Sequence, residues 1–467
     1  MKSFRYSPLW LPAVVAIAAL ASFGLWLSLG PGTPLAPRVP GTDHAPGSEA
    51  GAGGNPVLAG KVIRFDGQPA KLAGAWPQFR GTNFDAISRE PTPLLRTWQA
   101  SEPRELWGVD VGEGYAGAAV RDGRVYLMDY DREKKQDALR CFSLEDGREI
   151  WRYVYSVSIK RNHGMTRTVP VVTDQLVVAM GPKCHVVCVD STSGELRWAI
   201  DLVREYGTTV PQWYAGQCPF VDGGSVILAP GGKTALLLAV EAETGKPLWR
   251  SPNPRGWKMT HASITRMEFG GERMYIYCAD KGVVGVSAKD GRILWETMDW
   301  KISIATVPSP LILDDGRIFL TGGYNAGSLM LQLKQEGDRF LAETQFRVDS
   351  KIFGATQQSP IAYENHIYGV RPDGRFACLG QDGKTVWASD STQQFGLGGY
   401  LLADGLIFAL NDSGLLRLLQ ATPEKYTLLS QAQVLKGRES WGPPALAGGR
   451  LLVRDFTRLI CLDVSRK

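Results

Sequence analysis

Cys188-Val-Asp-Ser-Thr-Ser-Gly-Glu-Leu-Arg-Trp198 reads as a short apolar strand, a turn built on an acid and a glycine, and a second strand ending in tryptophan. Variants return along the chain: CFSLEDGREIW at 141–151, AVEAETGKPLW at 239–249, VSAKDGRILW at 286–295 and CLGQDGKTVW at 378–387. Recurrence at this scale is the signature of a repeat architecture. The tryptophans fall at 107, 151, 198, 249, 295 and 387, in steps of 44 to 51 residues with one doubled step, where Phe346 takes the missing place.

Each unit follows one plan. An apolar strand, often introduced by proline (Pro170, Pro219, Pro310, Pro360, Pro444), leads through a Gly turn to a second strand, then to the quoted pair. The turn glycine supplies a positive φ, and the preceding Asp, Ser or Thr bonds the turn backbone. Seven full units are followed by three strands in 441–464, and Glu105–Val111 is a Trp-bearing strand with no unit of its own. Pairing the two ends closes a ring and removes the open edges of a linear array. The expected fold is therefore all-β: an eight-bladed propeller of four-stranded antiparallel blades, closed by its N- and C-terminal strands, over residues 75–467. A linear β-solenoid leaves the complementary ends unexplained.

Composition agrees. The 53 Gly and 14 Trp suit many short strands and tight turns. The net charge of +5 is too thinly spread to argue for nucleic acid. Of the seven cysteines, Cys141, Cys188, Cys378 and Cys461 hold the same repeat position. That points to packing rather than to a disulfide framework.

The repeat resembles the pyrroloquinoline-quinone-type propeller family from about Trp76 to the end. The resemblance is carried by the strand, Asp-x-x-Thr/Asp-Gly turn and Trp, and by the opening WPQFRGTNFDAIS at 76–88. It implies blades docked by the repeated Trp and Gly. Within the family it points toward the outer-membrane assembly propeller lipoprotein, although no Cys precedes residue 141 to carry a lipid. The quinone-dependent dehydrogenases of the family use pyrroloquinoline quinone, a calcium or similar ion, an acidic base and often two adjacent cysteines. No adjacent Cys pair is present, and no positions match the base or the metal ligands, so no cofactor is expected.

Before the propeller, residues 1–8 read as a short cytoplasmic N-terminus carrying Lys2 and Arg5, and 9–29 as an uncharged segment. At 1.5 Å per residue such a segment spans ~30 Å of hydrocarbon. It reads as a transmembrane anchor rather than a cleaved signal peptide, because the apolar run continues past Ala19-Leu20-Ala21. The basic flank places the remainder outside the cytoplasm, on the bacterial inner membrane with the propeller in the periplasm. Residues 30–74 begin Pro/Gly/Ala-rich and read as a flexible linker.

Local motifs yield little chemistry. Gly112-Glu-Gly-Tyr-Ala-Gly117 matches a dinucleotide fingerprint, but the sequence after it alternates as a strand where a helix is required. Cys184, His185 and Cys188 on one strand stand too far apart for one zinc. Asp129, Asp131 and Glu133 open like a calcium loop, but Lys134 replaces the necessary Gly. What remains is the rim where inner strands begin. Arg161, His163, Arg167, Trp213, Tyr214, Gln217, Trp257, His261, Gln357, Gln358 and Trp441 gather there in the expected register. Arg and aromatic side chains suit a binding surface. The expected role is a non-catalytic scaffold for a protein partner of the cell envelope. The alternative is a quinone-dependent alcohol or sugar dehydrogenase with the quinone at the channel mouth.

Overall fold

The computed structural model describes residues 10–28, 54–99 and 102–466. The chain divides into two units, Met1–Val39 and Pro40–Lys467. In the first, Trp10–Ser28 is an α-helix, with residues 14–25 exposed. Among the described residues no helix is long and apolar enough to cross a membrane. The ends of the expected 9–29 span, and residues 1–8 and 30–53, lie outside the described residues.

The second unit is the propeller. Eight antiparallel sheets follow one another in chain order, the first beginning at Ala119. Six have four strands, and in two a short N-terminal strand adds a fifth. The eighth blade consists of Ala445–Ala447, Arg450–Arg454 and Arg458–Asp463, completed by Arg104–Asp110 from the other end of the chain. Trp107 pairs with Cys461 across that closure, as Trp198 pairs with Cys188 within the second blade. Both ends thus rebuild one ordinary unit, as the strand count requires.

The quoted stretch shows why the unit recurs. His185–Asp190 and Leu196–Asp201 pair with a bulge after Cys188. Asp190 Oδ1 accepts the backbone N–H groups of Thr192 and Ser193, and Gly194 turns the chain at φ +74°. The bulge recurs one residue after Cys141, Ala239, Gly285, Met330 and Cys378. It rotates the outer strand so that its aromatic residue meets the next blade. Gly194 lies against the Trp151 ring, Gly245 against Trp198, Gly291 against Trp249 and Gly383 against Phe346. The indole N–H groups of Trp107, Trp198 and Trp249 donate to Leu144, Ala242 and Ala288 carbonyls of the following blade. At Trp151 the corresponding carbonyl, that of Ser191, is taken by the Tyr126 hydroxyl, and the indole N–H is buried without a partner.

Residues 54–74, at the end of the stretch read as linker, lie along the propeller. Val57 is fully buried and its carbonyl accepts the Tyr153 hydroxyl at 2.6 Å. Lys61–Arg64 pairs with the outer strand of the first blade. The Pro/Gly composition is concentrated before this point, and the Lys-Val-Ile-Arg that follows, with its β-branched pair, has a free sheet edge to join.

Candidate functional site

Residues 76–90 cross the central channel at the level of the turns that join first to second strands. Trp76 exchanges both backbone hydrogen bonds with Val120 of the first blade, at 2.9 and 2.8 Å. Pro77 accepts the Val172 N–H of the second blade. The Phe84 ring sits 4.3 Å from Phe220 of the third. Ile87–Ser88 runs parallel to Leu402–Ala403 of the seventh. Glu90 accepts N–H groups from Ala75 and, in the eighth blade, Gly448. At the centre Arg80 donates to the carbonyls of Phe84, Ser359 and Pro360 at 2.8 to 2.9 Å. Arg80, Phe84 and Ala86 hold positive φ near 60°, and Gly81 packs beneath the Trp76 ring. Non-glycine residues adopt this conformation only where the surroundings impose it. The WPQFRGTNFDAIS stretch is thus a stopper, and the channel above it is blind.

The resulting pocket has a volume of about 320 Å³. Trp76, Phe79, Arg80 and Ala86 form its floor, and the segments leading into the inner strands form its wall. Trp441 stacks on Tyr115 with centroids 5.1 Å apart, and Arg167 lies 5.4 Å over the same Tyr115 ring. Tyr115 is fixed by its hydroxyl, which donates to Glu439 at 2.5 Å, and Trp441 by its indole N–H, which donates to Asp412 at 2.7 Å. Across the pocket Trp213 and His261 are neighbours at 6.3 Å.

The pocket is cationic and bears no carboxylate: two Arg and two His line it, with no Asp or Glu. Burial lowers Arg80 and Arg167 to about 10, which leaves both charged at neutral pH. Burial, reinforced by the nearby Arg167 charge, pushes His261 down to about 3, so it is neutral. Its Nε2 and the Gln358 Oε1 are buried without hydrogen-bond partners.

The structure brings His163, Arg167, Trp213, His261, Gln357, Gln358 and Trp441 together in this lining. Arg161 stands outside, exposed and ion-paired with Glu113 at 2.5 Å. Three others point into the walls. Tyr214 is fully buried and donates its hydroxyl to Lys160. Gln217 closes on both backbone groups of Ala229. Trp257 packs against Gly282, as a core wedge. All three lie in loops ahead of the inner strands, and these contacts turn their side chains away from the rim. Tyr115 and Tyr324 were not foreseen, and neither was the floor. Tyr115 sits inside the Gly-rich 112–117 segment, which leads into a strand, Ala119–Arg121, and not a helix.

The donor set does not suit a resident divalent ion with a quinone. The lining offers no carboxylate to a hard cation or as a catalytic base. Among the described residues no group of His, Cys, Asp or Glu could hold a metal.

The family model for the outer membrane protein assembly factor BamB matches residues 85–208 and 135–389, together more than half of the chain. No curated protein matches it significantly. Among solved structures, BamB from Moraxella catarrhalis is similar with a TM-score of 0.51 at 12% identity, covering 77% of this chain and 97% of that one. A europium-containing methanol dehydrogenase is similar with a TM-score of 0.55 at 12% identity, covering 82% and 90%. At such identities these likenesses establish the fold alone.

Proposed function

We propose that this chain, which belongs to the BamB family of pyrroloquinoline-quinone-type propellers, is a non-catalytic scaffold of the bacterial envelope that holds a protein partner at the channel mouth. The observation that carries this reading is the chemistry of the pocket. Arginine, histidine and tryptophan line a rigid blind opening without a carboxylate. Such a set binds well but offers no carboxylate as a general base or as a ligand for a hard cation. In this reading the N-terminal segment, with Lys2 and Arg5 before its apolar run, anchors the chain in the inner membrane and leaves the propeller in the periplasm.

Two measurements test it. A photo-crosslinking residue at Gln357 in the full chain, activated in cells, is expected to capture one reproducible envelope protein; labelling that varies from cell to cell would overturn the scaffold. Incubation of the full chain with pyrroloquinoline quinone and calcium is expected to leave no stoichiometric quinone absorbance and no dye-linked alcohol or sugar oxidation. A stoichiometric signal with turnover would replace the scaffold with the dehydrogenase.

A further inference from the structure

We infer that the blind pocket receives the free C-terminus of a partner polypeptide, with a bulky apolar or aromatic last side chain inside it and the terminal carboxylate at Arg167. This rests on reading the mouth as a protein-docking surface, and it specifies what docks there.

The stopper sets the first constraint. With residues 76–90 closing the floor, no chain threads through, so a polypeptide enters only by an end or a side chain. The volume of about 320 Å³ is at the small end of the ~300–1,000 Å³ usual for ligand pockets.

Charge selects which end. A lining with two charged Arg and no carboxylate repels an amino terminus and attracts a carboxylate. Arg80 is already committed to three backbone carbonyls. Arg167 is not. It donates to the carbonyls of Gly164 at 2.7 Å and Asn162 at 3.4 Å, and has no carboxylate partner among the described residues. Its stacking over Tyr115 fixes its position, so a carboxylate meets a preorganised cation. The unpartnered, buried Nε2 of neutral His261 is an acceptor on the same wall, because the other ring nitrogen donates to the Tyr214 backbone. It suits a peptide N–H rather than the carboxylate.

The walls select the side chain. Trp213 and Trp441 flank the opening and Trp76 and Phe79 lie below, so a large apolar group is favoured over a small or charged one. The residues before the chain end have a surface as well. On the lip of the fifth blade Ile304 and Tyr324 are 55% and 38% exposed, and Ile352 in the neighbouring loop is 42% exposed. Both Ala305, next to Ile304, and Tyr324 line the pocket, which makes the apolar lip continuous with the cationic well.

The test uses fluorescein-labelled hexapeptides ending in Phe, Leu, Ala or Asp, each as free acid and as C-terminal amide, titrated into the full chain by fluorescence anisotropy. The Phe and Leu acids are expected to bind best. Amidation, or Arg167→Gln, is expected to weaken them about tenfold or more, and amidation is expected to have no further effect on R167Q. Melting curves show whether R167Q is folded. Should it not be, Trp213→Leu, expected to erase the preference for Phe over Leu, carries the test. Ile304→Ser is expected to weaken the peptides and leave phenylpropionate unaffected, which separates a chain end from a free aromatic acid. Equal binding of acid and amide, no peptide binding, or an I304S effect on phenylpropionate equal to that on peptides would overturn the inference. If Gln357 still captures its partner when that partner lacks its last residues, the scaffold stands and the C-terminal docking falls. If no partner is captured at all, the scaffold reading falls first.

Discussion

Gly245 of the third blade lies face-on beneath the Trp198 ring of the second, so close that a Cβ there would stand 2.7 Å from the indole Cδ2. The same indole donates its N–H to Ala242, three residues before that glycine, at 2.7 Å. One short turn thus supplies both the cavity and the acceptor for its neighbour's tryptophan. Gly245→Ala meets a φ of +71° as well as the ring and is expected to cost about 2–4 kcal/mol. Gly223, with φ +55° but nothing within 4 Å of its Cβ position, is expected to cost only about 1–2 kcal/mol as Ala. Urea midpoints with unchanged m-values check the difference. Equal losses would show that the glycines serve only backbone freedom.

Trp107 joins the two ends of the chain. It is 7% exposed, pairs with Cys461 and donates to Leu144 of the first blade. Trp107→Ala is expected to cost about 3–5 kcal/mol. Because the four-strand unit of this blade is completed by the other end of the chain, hydrogen exchange is expected to quicken in both Arg104–Asp110 and Arg458–Asp463. Protection lost in one strand only would contradict a shared closure.

Asp137 is fully buried between the first two blades, and neither of its oxygens makes a hydrogen bond among the described residues, although the Tyr155 hydroxyl lies beside the same Gly181. Burial raises its carboxyl from 3.8 to about 8, with Tyr155 and Lys183 opposing and Asp129 assisting. The folded chain therefore keeps a proton that the unfolded chain releases above 3.8. Stability is expected to fall as pH rises from about 4 to 8, by at most ~1.4 kcal/mol per unit, and to level off above. Asp137→Asn is expected to remove that slope from a series of urea midpoints against pH. A slope unchanged in the variant would assign the dependence to another group.

Arg80 holds the stopper. Arg80→Ala leaves three carbonyls, those of Ser359 and Pro360 in buried hydrogen bonds, without their donor, a loss of ~1.5–3 kcal/mol for each charged hydrogen bond not replaced by water. Released strain at Phe84 and Ala86 favours opening, so limited proteolysis within 76–90 is expected to accelerate while the blades stay protected. Uniform destabilisation of every blade would instead make the stopper part of the core.

All seven cysteines are buried and free. Burial raises Cys218 and Cys378 to about 11, and Cys278 and Cys461 to about 12. The native chain is expected to show no rapidly reacting thiol with a disulfide reagent at pH 8, and seven after denaturation. Cys218, at the pocket wall, is the one expected to react first. A rapid native thiol elsewhere would refute the packing role.

Much of the molecule was legible before any coordinates. The period-two strands, the Asp-to-Gly turns and the spaced tryptophans are local, and eight copies in register leave a single missing strand that Glu105–Val111 fills. Rim residues such as His163, Arg167 and Trp441 were legible because a regular repeat tells where inner strands begin. Trp257, Tyr214 and Gln217 were not separable from them, since which way a loop side chain turns depends on partners such as Gly282 and Ala229 far along the chain.

What the sequence determined by itself is thus the unit and its number, because turn chemistry, strand alternation and the Trp–Gly match are short-range and repeated. What only the tertiary structure decided is that WPQFRGTNFDAIS folds into the channel. Its anchors, Val120, Phe220, Pro360 and Leu402, lie on separate blades and meet only when the ring closes. The blind, carboxylate-free pocket follows from that closure, since its charge is a sum over residues that no stretch of sequence holds together.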